Sequence, residues 1–275
     1  MSQSGLVKIT SASLPSDVPI SFDADLGSAT AILQTIEILG VSGVSTSASG
    51  NTVTIDGSGA STNKTINEFD DFTSGNDTYK LNWYNYGSNF TPFEGNISGH
   101  DGVAKLSGAV NGSLGLGYTS GGQSKLSFIF GSGILTINWV FKFSALSNGT
   151  DDYTAYIGMG NNFDIGEPSD GAYLKYNHSV NSGNWVAVTA DGGTRTTSNS
   201  TTAVDTNWVR ATIAINADAS SVSYYINDVE IVTAITTNIT SNRNGPQFSI
   251  IKNAGTLSDI YVDLFYYTRI FTTAR

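Results

Sequence analysis

The sequence predicts an all-β protein: a small N-terminal oligomerising β module, then a large antiparallel two-sheet sandwich of jelly-roll type. Three observations lead there. From Asn207 to Thr233 (NWVRATIAINADASSVSYYINDVEIVT), Val209, Ala211, Ile213 and Ile215 alternate with Trp208, Arg210, Thr212 and Ala214, and the alternation resumes after a polar turn at Val222, Tyr224 and Ile226. That period of two marks strands with one dry face and one wet face, here a three-strand meander whose Asn227-Asp228 pair supplies a tight turn. Second, charged residues make up 13% of the chain and aromatics 11%, with 30 Gly and only 5 Pro. Such low charge with β-branched, aromatic and turn residues suits β-sheet, and the aromatics argue against disorder. Third, runs of helix formers are absent, while Gly, Asn and Asp turns separate about a dozen strand candidates.

Taken in order, residues 1–57 form the N-terminal module. Gly5 to Thr10 is a short strand candidate, and Pro15 and Pro19 then hold LPSDVPISFDADLGSAT extended. Ile32 to Leu39 reads as a strand broken by Gly40 and Gly43, and VSTSASGNTVTIDG as a hairpin turning at Ser49-Gly50-Asn51. The apolar side chains here, Ile20, Phe22, Ile36, Ile38, Val53 and Ile55 among them, exceed what so short a unit can cover. They are therefore the expected oligomer interface, a homotrimer being the expected state. Residues 58–67 (SGASTNKTIN) read as a flexible linker, and residues 68–275 as the sandwich. Its strands are expected at 79–86, 103–106, 113–118, 125–130, 135–143, 153–159, 172–176, 185–189 and 194–198, followed by the meander and closing strands at 247–252 and 260–271.

Charge and composition exclude several functions. A net charge of −10 disfavours nucleic acid and anionic membrane as partners. Without cysteine the chain has neither disulfide nor thiolate metal site. Met1 to Ser16 lacks the basic head and apolar run of an export signal, so the many N-x-S/T sequons are expected to be chance. A chain of extracellular composition without an export signal is what a particle-borne protein looks like.

Two stretches resemble known families. W-V-R-A-T-I-A-I-N, V-S-Y-Y-I-N-D and the last element DIYVDLFYYTRIF resemble the late strands of concanavalin-like lectin/glucanase jelly rolls, a resemblance covering residues 65–275. P-S-D-V-P-I-S-F-D-A-D-L-G-S-A-T, continued by G-N-T-V-T-I, resembles a β module near the start of bacteriophage tail-fibre and appendage proteins and covers residues 8–56. The first implies a lectin-like domain; the second implies a virion component exposed on the particle surface.

The residues that carry chemistry were weighed on those terms. Glucanases of the jelly-roll type need E-x-D-x-x-E on one strand, with two carboxylates about 5–5.5 Å apart for retention. EFDD at 68–71 lacks the third acid and NDVE at 227–230 lies in a turn, so catalytic residues are not expected. His100 and His178 sit in polar turns with no G-x-S-x-G to seat a serine beside either one. Calcium is the cofactor left open: Asn161, Asn162 and Asp164 in GNNFD offer hard oxygen donors, against the alternative of a metal-free turn. Trp83, Tyr84 and Tyr86 in KLNWYNYG are the candidate glycan-binding rings, against the alternative of core packing, while Trp139, Trp185 and Trp208 read as packing residues. The expectation is a non-enzymatic tail-fibre or appendage protein that adheres to host-surface glycan. Capsid decoration or a head fibre is the alternative, and a depolymerase is disfavoured.

Overall fold

The computed structural model describes residues 21–24, 27–30, 45–49, 52–56, 65–70, 72, 83–86, 90–91, 97, 99–100, 102–106, 113–120, 123–124, 128–161, 166–256 and 259–272. For those before 65, and for 83–86, 90–91, 113–120 and 123–124, the backbone alone is described. The chain divides into two units, Met1–Thr62 and Asn63–Thr273.

In the first unit, β1 (Ser21–Ala24) pairs antiparallel with β2 (Gly27–Thr30), and β3 (Ser45–Ser49) with β4 (Thr52–Asp56). The second hairpin is the expected one, with Ser49 opposite Thr52. The first lies in a stretch expected to run extended; Asp25-Leu26 carries none of the Gly or Asn that usually announces a two-residue turn. Phe22 is on β1 and Val53 and Ile55 are on β4. Ile20, Ile36 and Ile38, with the strand candidates at 5–10 and 32–39, lie outside the described residues.

The second unit contains β5 (Thr65–Asp70), β6 (Trp83–Tyr86), β7 (Phe90–Thr91), β8 (Ala104–Leu106), β9 (Ser113–Ser120) and β10 (Gln123–Ser124). There follow β11 (Ile134–Phe143), β12 (Tyr153–Gly160), β13 (Gly171–Tyr176), β14 (Asn184–Asp191) and β15 (Thr194–Ala203). The chain continues with β16 (Val209–Ile215), β17 (Val222–Ile226), β18 (Val229–Ile235), β19 (Gly245–Lys252) and β20 (Ile260–Ile270). They form two antiparallel sheets, β10-β9-β19-β12-β13-β14-β15 with β6 on β9, and β18-β17-β16-β11-β20-β8-β7 with β5 on β20. We call them the β12 sheet and the β11 sheet. The fold is all-β, a jelly-roll sandwich, as the alternation predicted.

Two departures from the expected strands stand out. β5 begins at Thr65, inside the presumed linker, because Thr65 to Asp70 has β20 to pair with. Within 125–130, Phe128 makes only an isolated bridge to Asn244 before a turn at Gly131 (φ 83°), and 125–127 lie outside the described residues. Residues 79–82, expected in the strand that ends at Tyr86, also lie outside them.

The two sheets close on one aromatic core. Trp139 packs against Phe265 and Phe248, with centroids 4.6 and 5.8 Å away, and Phe141 meets Phe248 at 4.9 Å. Trp139 and Trp185 are buried packing residues, as expected. Trp208 is not: it is half-exposed on the face of the β11 sheet turned from the core and stacks on His100 at 4.0 Å. The reason is parity, since Val209 points inward and its neighbour must point out.

A bulge in β20 shapes that same face. Register against β11 shifts between Val140 and Phe141, pairing Val140 with Leu264 but Phe141 with Val262, so Asp263 is the extra residue. Ile260 and Val262 are buried before it and Phe265, Tyr267 and Arg269 after it, so the inward phase switches from even to odd numbers.

Candidate functional site

The β12 sheet has a second covered surface, on the side away from the core. β12 is buried at all of its positions, and Tyr156, Tyr173, Val186, Val188 and Ala190 form an apolar cluster apart from the main one. Two rows cross this face. In one, Tyr84 stands opposite Gly117, Gly117 opposite Gln247, Gln247 opposite Gly158 and Gly158 opposite Tyr173. In the other the sequence is Tyr86, Gly115, Ser249, Tyr156 and Lys175. Directly opposed residues share a sheet face, so the first row alternates glycine with polar or aromatic positions, while the second carries one glycine among them.

Gln247 is the centre of this arrangement. Its side chain lies over Gly160, where an added Cβ would sit 2.2 Å from Gln247 Oε1 and 2.9 Å from Pro168 Cγ. Gln247 is 1% exposed and Ser249 0%, yet among the described residues Gln247 Nε2 and Oε1 and Ser249 Oγ have no hydrogen-bond partner. Burying such atoms bare costs about 1–3 kcal/mol each, and native chains rarely tolerate it. Three of them side by side are places for polar atoms from outside the chain, whether water or a ligand's hydroxyl and amide groups.

A closed ionic network forms one wall. Glu167 Oε1 accepts from Tyr173 Oη at 3.1 Å and Oε2 accepts from Lys175 Nζ at 2.9 Å. Arg195 donates to Tyr173 Oη at 3.2 Å and to the carbonyls of Pro168 and Glu167 at 2.9 and 3.2 Å. Burial, reinforced by the Glu167 charge, pushes the Tyr156 and Tyr173 phenols well above their usual range, so both remain neutral donors. Asp170 braces the loop behind. Its carboxylate accepts from Gly192 N, Thr240 Oγ1 and Asn242 Nδ2 on one oxygen, and from Asn161 Nδ2 and Ser169 Oγ on the other. Burial opposes its ionisation, but the bonds from Asn242, Gly192, Thr240 and Ser169 outweigh it and hold the carboxyl below its ordinary range.

Of the expected site residues, Trp83, Tyr84 and Tyr86 are on β6, with Tyr84 and Tyr86 in register with the two rows and Trp83 opposite Tyr118. Asn161 closes the 161–170 loop on itself. Its amide oxygen accepts from the backbone of Ser169 and Asp170 at 3.1 Å, and its nitrogen donates to Ser169 Oγ and Asp170 Oδ2 at 2.8 Å. Asn162 and Asp164 lie outside the described residues. Among the described residues no group of three or more His, Asp or Glu is placed to hold a metal ion.

The two turn histidines, His100 and His178, make tertiary contacts. The structure does seat a serine beside one of them: Ser147 Oγ is 3.1 Å from His178 Nδ1, and Asp152 Oδ1 is 3.2 Å from that same nitrogen. The contact spans 31 residues and so escapes a motif confined to one turn. It lacks the geometry of nucleophilic catalysis, where serine and carboxylate meet opposite ring nitrogens. Ser147 is 4% exposed and also accepts from Tyr153 N at 3.0 Å, so it pins three segments together.

Gln247 and Ser249 themselves were missed, because two polar residues alternating with Pro246, Phe248 and Ile250 read as an ordinary wet strand face. The signal that could have found them is glycine at alternate positions, 115 and 117, then 158 and 160, which strips a sheet face of side chains.

The chain is similar to known proteins as follows. The SO2946-like C-terminal domain family matches residues 100–263. The match begins and ends on the His100–Asp263 pair, whose Nδ1 and Oδ2 are 2.8 Å apart. No curated protein matches the sequence. Among solved structures, peanut lectin with a bound 9mer peptide is 10% identical, with 77% of this chain and 100% of that one covered at a TM-score of 0.49. A carbohydrate esterase from the Shiga toxin-encoding bacteriophage phi24B is 15% identical, covering 68% and 90% at 0.45. An uncharacterised Mycobacterium paratuberculosis protein is 14% identical, covering 73% and 99% at 0.48.

Proposed function

This chain belongs to the SO2946-like C-terminal domain family, and from that premise we propose that its sandwich is a non-enzymatic glycan-binding domain on a virion appendage. The observation that carries the reading is the buried, unpartnered Gln247 amide with Ser249 beside it. A primary amide that can accept and donate side by side matches a sugar's adjacent hydroxyls or an acetamido group. The neutral phenols of Tyr156 and Tyr173 stand in the same two rows, and Tyr84 and Tyr86 share their register. Catalysis lacks comparable support: both oxygens of Glu167 and of Asp170 are engaged within the chain, leaving neither placed as a free acid or base.

The finer reading is a homotrimer assembled through the N-terminal module, docked to other virion proteins, with the sandwich turned to the host surface. Its support is the tail-fibre-like pattern of residues 8–56 and the apolar excess of that unit. A glycan array probed with the full chain tests the binding half: a set of bound sugars, lost in Gln247→Leu, is expected, and blanks throughout would favour capsid decoration. Immunogold labelling of purified particles tests the other half, since particles that never carry the label exclude a virion role.

A further inference from the structure

The outward face of the β11 sheet carries an array that the Gln247 site does not use. Lys142 on β11 pairs with Tyr261 on β20, and Tyr261 pairs with Lys105 on β8. Trp208 immediately precedes Val209, the partner of Phe141, and so extends the row past Lys142. Rings and ammonium groups therefore alternate across four strands. Lys142 Nζ is 5.7 Å from the Trp208 ring centroid and 5.5 Å from that of Tyr261, and Lys105 Nζ is 5.9 Å from Tyr261. The row is fixed at one end, where His100 stacks on Trp208 and is itself held by Asp263 at the β20 bulge.

The two lysines differ in charge balance. Lys105 faces Asp259 at 3.3 Å, whereas Lys142 has no carboxylate in ion-pair reach among the described residues. In a chain of net charge −10, acids are plentiful, yet this half-buried ammonium is walled by rings instead. Rings satisfy a cation only in part, more weakly than a carboxylate would. They also exclude water, which strengthens any ion pair formed between them. The walls lie on strands two steps apart, roughly 9.5 Å. That spacing and the single unmatched charge fit an extended ligand with one carboxylate between apolar C–H surfaces.

We propose that Trp208, Lys142 and Tyr261 form a second binding site, selective for acidic oligosaccharides, with the sugar carboxylate on Lys142 Nζ. That the ligand is a sugar rests on the glycan-binding reading above; that it is acidic rests on Lys142 alone. The test is calorimetry on the full chain with a panel of uronic-acid and sialic-acid oligosaccharides, each beside its methyl-esterified or carboxyl-reduced form. Binding of at least one acid is expected, about tenfold or more weaker for its neutral form and weakening with salt. Lys142→Met, which keeps the apolar stem, should lose that same factor, and Lys142→Arg should restore it. No acid bound, equal binding of the neutral form, or indifference to Lys142→Met would each overturn the proposal. Neutral sugars that bind through Gln247, with no acid bound through Lys142, would sink this inference while leaving the first reading standing.

Discussion

Gln247 and Asp170 sit in the same part of the fold and make opposite predictions. Gln247 contributes buried polar atoms with no return, so Gln247→Leu should leave the unfolding free energy unchanged or raise it by about 1–2 kcal/mol in a urea titration while abolishing sugar binding. A loss of stability would show instead that the amide holds internal water. Asp170 anchors the loop through five hydrogen bonds, and Asp170→Asn, which cannot accept all of them, should cost about 2–4 kcal/mol by the same measurement. Its pH dependence has a definite sign. The folded-state pKa lies below the ordinary 3.8, as does that of Asp152, where bonds from Asn177, Ser147 and Asn253 outweigh the opposing effect of burial. Each carboxylate's contribution is complete above the unfolded value and is lost as pH falls through the folded one. Thermal melts should therefore hold level down to about pH 4–5 and then drop, with a shallower acid limb in Asp170→Asn.

Among the elements, β20 separates what residue pattern reveals from what it hides. The burial of β16 is legible because Val, Ala, Ile and Ile fall at one parity and Arg, Thr and Ala at the other. The turn at Asn227-Asp228 is equally legible, and both residues do adopt positive φ, 49° and 67°. In DIYVDLFYYTRIF, by contrast, large apolar residues stand at both parities, so one inserted residue reverses the phase without altering the composition. The bulge, and with it the outward placing of Asp263 beside His100, was therefore invisible. So was the covered outer face of the β12 sheet, because burial on the second side of a strand depends on loops distant in the chain. The bulge makes a sharp prediction. Asp263→Ala keeps the extra residue and loses only the His100 contact, and should cost about 1 kcal/mol or less. Deleting Asp263 would bring Val262, Leu264 and Phe265 into unbroken alternation opposite Phe141, Val140 and Trp139, so Phe265, Tyr267 and Arg269 should stay inward and the protein should remain folded and soluble without the His100 contact. An insoluble deletion variant would show that the local bend and twist of the bulge are themselves needed to close the sheet.

For the whole molecule, weak contacts become useful only through copy number. A site built on one amide, one hydroxyl and a few rings engages sugars that water also solvates well, and the half-exposed Lys142 row is screened by salt. Joining three such domains through their N-terminal units makes the second and third contacts intramolecular and raises avidity by about 10²–10⁴ without any new interaction. Such a trimer would hold together through the first unit, where Phe22, Val53 and Ile55 occupy β1 and β4 of two short hairpins. Light scattering on the full chain should accordingly give three times the 29.0 kDa of one copy, and residues 63–275, the second unit, should give a single copy. On immobilised glycan the full chain should dissociate far more slowly than that fragment, while both bind a soluble monovalent sugar alike. A monodisperse single copy of the full chain would remove the multivalent mechanism, and an adhesin with sites this sparse would then need a partner protein to cluster it.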